Sequence, residues 1–301
     1  MTAPPPITPY TQRVVNLDDQ KEALQICPGC EGKSILQESA ANNIWSCADC
    51  ELLFTNPRPT ERFIAENYCE GGYYARFQPD EKWRQMWLRR ISRVTQRLRS
   101  GHILDVSAGV GTAVHLLNAA GFKCSGTEIS SEAITRAQQL YGISLQQSYP
   151  ESIALPNHSL DGLMMWHVFE HLPFPGSSLR FLSRKIKQNG FLFIAVPNNS
   201  FHRLLAQPKY WMASRTKKLE ALIPAVPYHK TFSEIHLIHF TPRSLRNIVE
   251  SAGFRVLELS IDNISLNPGP MKDIKHWVRN SLAKHANLYA HKALFLCAQK
   301  L

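Results

Sequence analysis

No run of apolar residues in this 301-residue chain approaches the roughly 20 that a membrane-crossing helix needs. The opening "MTAPPPITPY" carries neither the basic nor the apolar stretch of a secretion signal. These two absences lead us to expect a cytoplasmic protein with no transmembrane segment. Acidic residues are short relative to basic ones, 24 against 34, which sets the formal charge at +10. The surplus gathers in Lys82 to Arg99, Arg203 to Lys218 and Lys272 to Lys300. Basic segments of this kind are either solvated surface or a footing for an anionic partner: a phosphorylated substrate, nucleic acid, or an anionic membrane face touched peripherally. Cysteine is also scarce, and four of the seven fall into two tight pairs. Cys69, Cys124 and Cys297 stand apart from any such pattern and read as ordinary core or surface thiols.

The two pairs are "CPGC" at 27–30 and "CADC" at 47–50, with sixteen residues between them. Each C-x-x-C bends the chain so that two thiolates face one ion, so Cys27, Cys30, Cys47 and Cys50 have the spacing of a closed, structural tetrahedral zinc site. A disulfide framework is the alternative, disfavoured where thiols are kept reduced. The stretches "SILQ", "NIWS" and "LLFT" read as short strands of a ribbon too poor in apolar residues to fold without the metal. "TNPRPTERF" punctuates its exit. From Asp80 to Ser100, Trp83, Met86, Trp87, Ile91, Val94 and Leu98 recur at helical spacing with arginines on the remaining face, the pattern of an amphipathic connecting helix whose aromatics are core.

Beyond residue 101 the texture alternates strand and helix: "HILDVS", "TAVHLLNAA", "FKCSGTE", "SSEAITRAQQL", "ISLQQ", "LDGLMMW", "SSLRFLSRKI", "GFLFIAV". Such alternation predicts an α/β fold, a mostly parallel Rossmann-like sheet with helices on both faces. In that architecture a ligand binds beyond the carboxyl ends of the strands, where strand order reverses. There the chain places Ser107, Ala108, Gly109, Val110 and Gly111, a turn with so little bulk that a ligand can lie against its amides and the next helix start. A dinucleotide and S-adenosylmethionine (SAM) compete for such a turn. The dinucleotide fingerprint would want a small residue where this chain has Val114, and does not call for an acid such as Asp105 at the strand end. Glu128, seventeen residues past Gly111, can take both ribose hydroxyls of either cofactor.

Four motifs in order, "ILDVSAGVG", "GTEIS", "LDGLMMWHVFEHLPFP" and "GFLFIAVPN", resemble the class I SAM-dependent methyltransferases, in the branch that includes the ubiquinone-pathway O-methyltransferases. The resemblance runs from about residue 100 to 260, and many bacterial relatives also carry a four-cysteine N-terminal ribbon with an "NPRP" exit. It implies a seven-stranded sheet whose last strand, "KALFLCAQ", runs antiparallel. It further implies that Asp105 and the Ser107–Gly111 backbone hold the methionine end, that Glu128 holds the ribose, and that Ile129 packs on adenine. Tyr149 stands where many relatives have an aspartate for the adenine amino group, and Trp166 at the fourth strand's end joins the cofactor candidates. The usual G-C-G-x-G has become Ser107-Ala108-Gly109-Val110-Gly111 here.

Methyl transfer from a sulfonium is an in-line displacement that needs a positioned acceptor in a water-poor site, and a hydroxyl acceptor must also lose its proton. "WHVFEH" places His167 at the fourth strand's end, with Glu170 and His171 three and four residues on, a base with its orienting carboxylate. In relatives a similar E-x-x-E-H motif with a later His binds a divalent ion. Here His167 replaces the first Glu and His236 matches the later His, so the four residues also suit a second divalent metal, one shifted away from Mg²⁺ by the imidazoles.

The resulting organisation is a tail at 1–21, a zinc ribbon at 22–60, a connecting helical segment at 61–100, and a methyltransferase domain at 101–301 with a lid insertion at 199–240, rich in aromatic and basic groups. The expected activity is O-methylation of a small-molecule or glycan-precursor hydroxyl, its acceptor anionic. C-methylation of a nucleotide-linked sugar is the neighbouring expectation. RNA methylation, or an RNA- or protein-binding scaffold using the ribbon, is a third, weakened by the lack of an interleaved aromatic RNA-binding motif.

Overall fold

A computed structural model of the protein describes residues 14–16, 20–39, 43–68, 74, 77–200, 236–262, 270–289 and 291–301. Most of the expected tail, Cys69, and residues 201–235 of the expected lid lie outside the described residues. The N-terminal part builds two small antiparallel sheets. One joins β1 (Val14–Asn16), β2 (Lys21–Leu24) and β6 (Arg58–Pro59); the other begins with the meander β3 (Ile35–Ser39), β4 (Ile44–Cys47) and β5 (Leu53–Thr55). Two helices follow, α1 (Glu61–Tyr68) and α2 (Glu81–Thr95). The Asp80 side chain accepts the Trp83 N–H and so caps α2. The apolar stripe read from the sequence is the buried face of α2, with Met86, Trp87, Ile91 and Val94 inside.

The rest of the chain alternates as expected: β7 (His102–Asp105), α3 (Thr112–Ala119), β8 (Lys123–Glu128), α4 (Ser131–Tyr141), β9 (Gln146–Gln147), β10 (Leu160–Trp166), α5 (Pro175–Ser183), β11 (Ile186–Pro197), β12 (Ile238–His239), α6 (Pro242–Ser251), β13 (Phe254–Ile261), α7 (Pro270–Ala286) and β14 (Ala293–Lys300). Seven of these strands form one sheet in the order β13-β14-β11-β10-β7-β8-β9. Strands β7 to β11 pair in parallel, and β14, inserted between β11 and β13, is antiparallel to both. The winding reverses between the neighbours β7 and β10, so among the described residues no crossover covers their carboxyl ends.

Alternation along the strands divides the core into two layers. Leu163 and Met165 of β10 join the layer under α5 and α6, while Met164 and Trp166 join the layer under α2 and α3. Cys124 and Cys297 are buried in the second layer. The ribbon shares the first, through Leu24, Cys27, Leu52 and Phe54 packed with Phe174, Leu245 and Ile248. Its meander gains a fourth strand from the far end of the chain, because β12 pairs antiparallel with β5. Arg58 of the "NPRP" exit is 1% exposed. Its Nε donates to Glu22 at 2.8 Å, another nitrogen donates to the Pro173 carbonyl, and the guanidinium lies over the Phe174 ring.

The tightest junction is between main chains. Gly176, in the first turn of α5, donates to the Pro28 carbonyl at 3.4 Å, and a Cβ at this position would overlap the Gly29 carbonyl oxygen. A side chain here has to push the first cysteine knuckle off the helix. Gly176→Ala is therefore expected to lower stability by on the order of 3 kcal/mol, as overpacking against a backbone does. Urea unfolding checks this, and an unchanged midpoint would show that the knuckle does not rest on α5.

Candidate active site

Two strand ends build the site. At the end of β7, the turn to α3 holds three left-handed residues within five positions: Ser107 (φ 55°), Gly109 (φ 56°) and Gly111 (φ 74°). Ser107 takes this conformation despite its side chain, and the loop is pinned by the Ala108 N–H donating to the Thr127 carbonyl at 2.8 Å. At the end of β10, His167 is also left-handed, at φ 58°. This is an uncommon setting for a residue with a Cβ, and one that surrounding structure has to enforce. Its N–H donates to the Ala195 carbonyl at 2.8 Å.

Glu128 lies beside the glycine loop. Its carboxylate accepts N–H groups from Gly109 at 2.8 Å, Ile129 at 2.8 Å and Ser130 at 3.0 Å, tying the β7 turn to the start of α4. Burial raises its pKa, and those three N–H groups pull it back. Asp105 is 2% exposed and accepts no hydrogen bond from the described residues. Burial, then the nearby Glu128 charge, drive its pKa well up. A cationic ligand at the loop would relieve both acids. Gly126 explains the close packing beneath: a Cβ there would press on Ala108, Val114 and Leu145.

The other expected cofactor residues are distributed unevenly. Val110 is buried, and Ile129 follows Glu128 directly with its carbonyl accepting from Gln147. Tyr149 leads into the 3-10 turn Pro150–Ser152. The Trp166 ring is taken up by the core, T-shaped against Trp87 and stacked on Phe295, because alternation along β10 turns it toward α2. Tyr74, which the sequence did not single out, brings its ring near Gly109, and its N–H donates to Glu132 at 3.2 Å.

His167 stands between two acids. Nε2 is 3.3 Å from Asp262 and Nδ1 is 3.5 Å from Glu170. Burial works against the imidazolium, yet the two carboxylates outweigh it and raise His167 to about 9. Asp262, at the end of β13, also takes the buried Arg90 of α2 at 2.6 Å, and burial is overcome by Arg90 and His167, which hold its carboxyl well below the usual range. Glu170 is 1% exposed and neither of its oxygens finds a hydrogen bond among the described residues. The structure gathers Glu170, His171 and His236 with ligand atoms within 4.8 Å of one another, and leaves His167 outside that group.

The four cysteines converge. Cys27 and Cys50 sulfurs are 3.5 Å apart, as are those of Cys30 and Cys47, and all four lie within 4.8 Å. Zinc at about 2.3 Å from each sulfur sets the edge of a tetrahedron near 3.8 Å, so the set fits. The Gly29 and Gly32 N–H groups point at Cys27 and Cys30, as they would at thiolates. Burial first, opposed by the Gly32 N–H, pushes the Cys30 thiol up to about 12; Cys27, raised first by Cys50, goes further. A bound cation would favour the thiolate form of Cys27 and Cys30 that burial opposes.

A family model described as a methyltransferase domain matches residues 75–259. The chain belongs to this methyltransferase family. A search of curated proteins found no match. Among solved structures, the methyltransferase is similar in fold to magnesium protoporphyrin IX methyltransferase from Synechocystis PCC 6803 with bound SAH (13% identity, 80% of this chain and 99% of that one, TM-score 0.51). It is also similar to a putative S-adenosylmethionine dependent methyltransferase from Listeria monocytogenes (12% identity, 72% and 98%, TM-score 0.50). No described helix of the methyltransferase is long and apolar enough to cross a membrane.

The imidazole of His167 should titrate near 9, measured by its ring nitrogen shifts against pH. Its folded pKa is raised above the unfolded 6.5, so its contribution to stability is complete below 6.5 and lost as pH rises through about 9. Glu170→Gln should lower the value, and a wild-type value at 6.5 would rule out the clamp between two carboxylates.

Proposed function

We propose that this methyltransferase uses SAM to methylate an oxygen of a small-molecule or glycan-precursor hydroxyl. The observation that carries the cofactor assignment is the pair of buried acids, Asp105 and Glu128, on either side of a left-handed, nearly side-chain-free loop. The fold likeness to a protein whose structure holds SAH supports it. In this reading Asp105 and the Ser107–Gly111 amides hold the methionine end, Glu128 the ribose hydroxyls, and Ile129 and Tyr149 border the adenine. SAM supplies a sulfonium methyl open to in-line displacement. The protein's own part is to position the acceptor and take its proton, and His167 is the assigned base. Asp262 and Glu170 keep the ring in place, and because they also keep it protonated near neutrality, His167 accepts a proton only as pH approaches 9.

A second reading rests on Glu170, His171 and His236. A buried carboxylate with no hydrogen bond among the described residues and two imidazoles suit a divalent ion that would lower the acceptor's pKa instead.

Calorimetry should register SAM binding, weakened about 30-fold or more in Glu128→Ala, since charge-assisted hydrogen bonds of this type contribute roughly 2 kcal/mol or more; equal affinity would remove the ribose assignment. With SAM bound, His167→Gln should stop turnover while SAM affinity holds, and wild-type turnover should climb toward pH 9. A flat profile, or activity restored only by added divalent metal, favours the second reading.

The cysteine cluster is proposed to hold one structural zinc. Elemental analysis should return about one zinc per chain, lost in the Cys27→Ser, Cys30→Ser double variant. Chelation should lower the melting temperature of the whole protein, because the knuckle is seated on α5.

A further inference from the structure

Between helices α2 and α7 lies a half-open pocket of about 240 Å³ that the methyl-transfer reading leaves unused. Arg89, Arg90 and Arg93 come from α2; His276, Asn280 and Lys284 come from α7. The described lining carries four cations, Arg89, Arg90, Arg93 and Lys284, and two carboxylates, Glu258 and Asp262. Both acids are committed. Asp262 takes Arg90 at 2.6 Å and His167 at 3.3 Å, and Glu258 takes Arg93 at 2.8 Å, Lys284 at 2.9 Å and Arg97 at 3.4 Å. Asn280 uses its oxygen for the Ile261 N–H, so its amide NH2 remains a donor. Burial, His291 and Arg93 drop His276 to about 4, so the ring is neutral and adds a polar, uncharged wall.

A dense group of guanidinium and ammonium groups around a small polar cavity is matched by an anion with several oxygens. Position makes the cavity more than a surface feature. Asp262 is at once its wall and the partner of His167 Nε2, so a group bound there lies one side chain from the assigned base.

We propose that the cavity between α2 and α7 is a subsite for a phosphate group, and that it seats the phosphate of the acceptor beside His167. The second half rests on the methyl-transfer reading; the first does not. Phosphate could arrive on a soluble metabolite or on a lipid. The outward face of α7 exposes Trp277 (70%) and Ile274 (60%), beside Lys275 and Arg279, and would meet an anionic lipid surface if the source were lipid.

The test uses the full-length protein and inorganic pyrophosphate at fixed ionic strength, followed by calorimetry. One pyrophosphate should bind per chain. Asn280→Asp, which adds a negative charge without removing a cation, and Lys284→Gln should each weaken it about 10-fold or more. Lys33→Gln, on the exposed ribbon surface, should not. SAM affinity, measured in parallel, should be unchanged in all three, which separates failure of the subsite from failure of the cofactor assignment. Vesicles containing phosphatidylglycerol assign the source: capture of the protein that pyrophosphate and Asn280→Asp both abolish means a lipid phosphate, and no capture alongside pyrophosphate binding means a soluble one. Absence of pyrophosphate binding, or equal weakening by Lys33→Gln, overturns the proposal, since the anion would then be answering to net charge alone.

Discussion

The uncovered carboxyl ends of β7 and β10 are the constraint from which the site follows. Parallel strands in one sheet need crossovers, and a winding that reverses between two neighbours sends those crossovers to opposite sides. The gap receives the Ser107–Gly111 turn from one strand and His167 from the other, and both bend through left-handed backbone to reach it. The loop's N–H groups are held by Thr127, Glu128 and Ala108, and the His167 ring by Asp262 and Glu170.

Environment then gives chemically similar carboxylates different roles. Asp105 and Glu128 are buried without a cation in contact, and their pKa values rise. Asp262 and Glu170 are as deeply buried, but each faces an imidazole, and Asp262 also an arginine, so theirs fall. The first pair is suited to receive a positive ligand, and the second to hold a positive ring. Arg90 links the second pair to the connecting helix, so α2 does more than bridge ribbon and domain. It supplies the arginine that shares Asp262 with His167, and one wall of the basic cavity.

The ribbon is equally bound up with the domain. Paired through β12, bolted by Arg58 and pressed on α5 at Gly176, it contributes side chains to the same core layer as β10 and β11. A metal at the cysteines would thus fix a knuckle whose other face touches the element that follows the His167–His171 turn.

Much of this was legible in the residues. Periodicity located the strands and the buried face of α2, C-x-x-C spacing located the sulfur cluster, and the small-residue turn stood out together with Asp105 and Glu128, because each signal is carried by one short segment or by two segments not far apart along the chain. Other features were not. Trp166 looked like a crevice residue at its strand's end until alternation turned it into the core, and Gly126 and Gly176 matter only through what packs on them. Asp262 meets His167 across 95 residues and Arg90 across 172. The sequence by itself determined which groups could carry the chemistry; only the tertiary structure decided which acid clamps the imidazole and which cations share a cavity, because sheet pairing joins β13 to the site and no local pattern records that join.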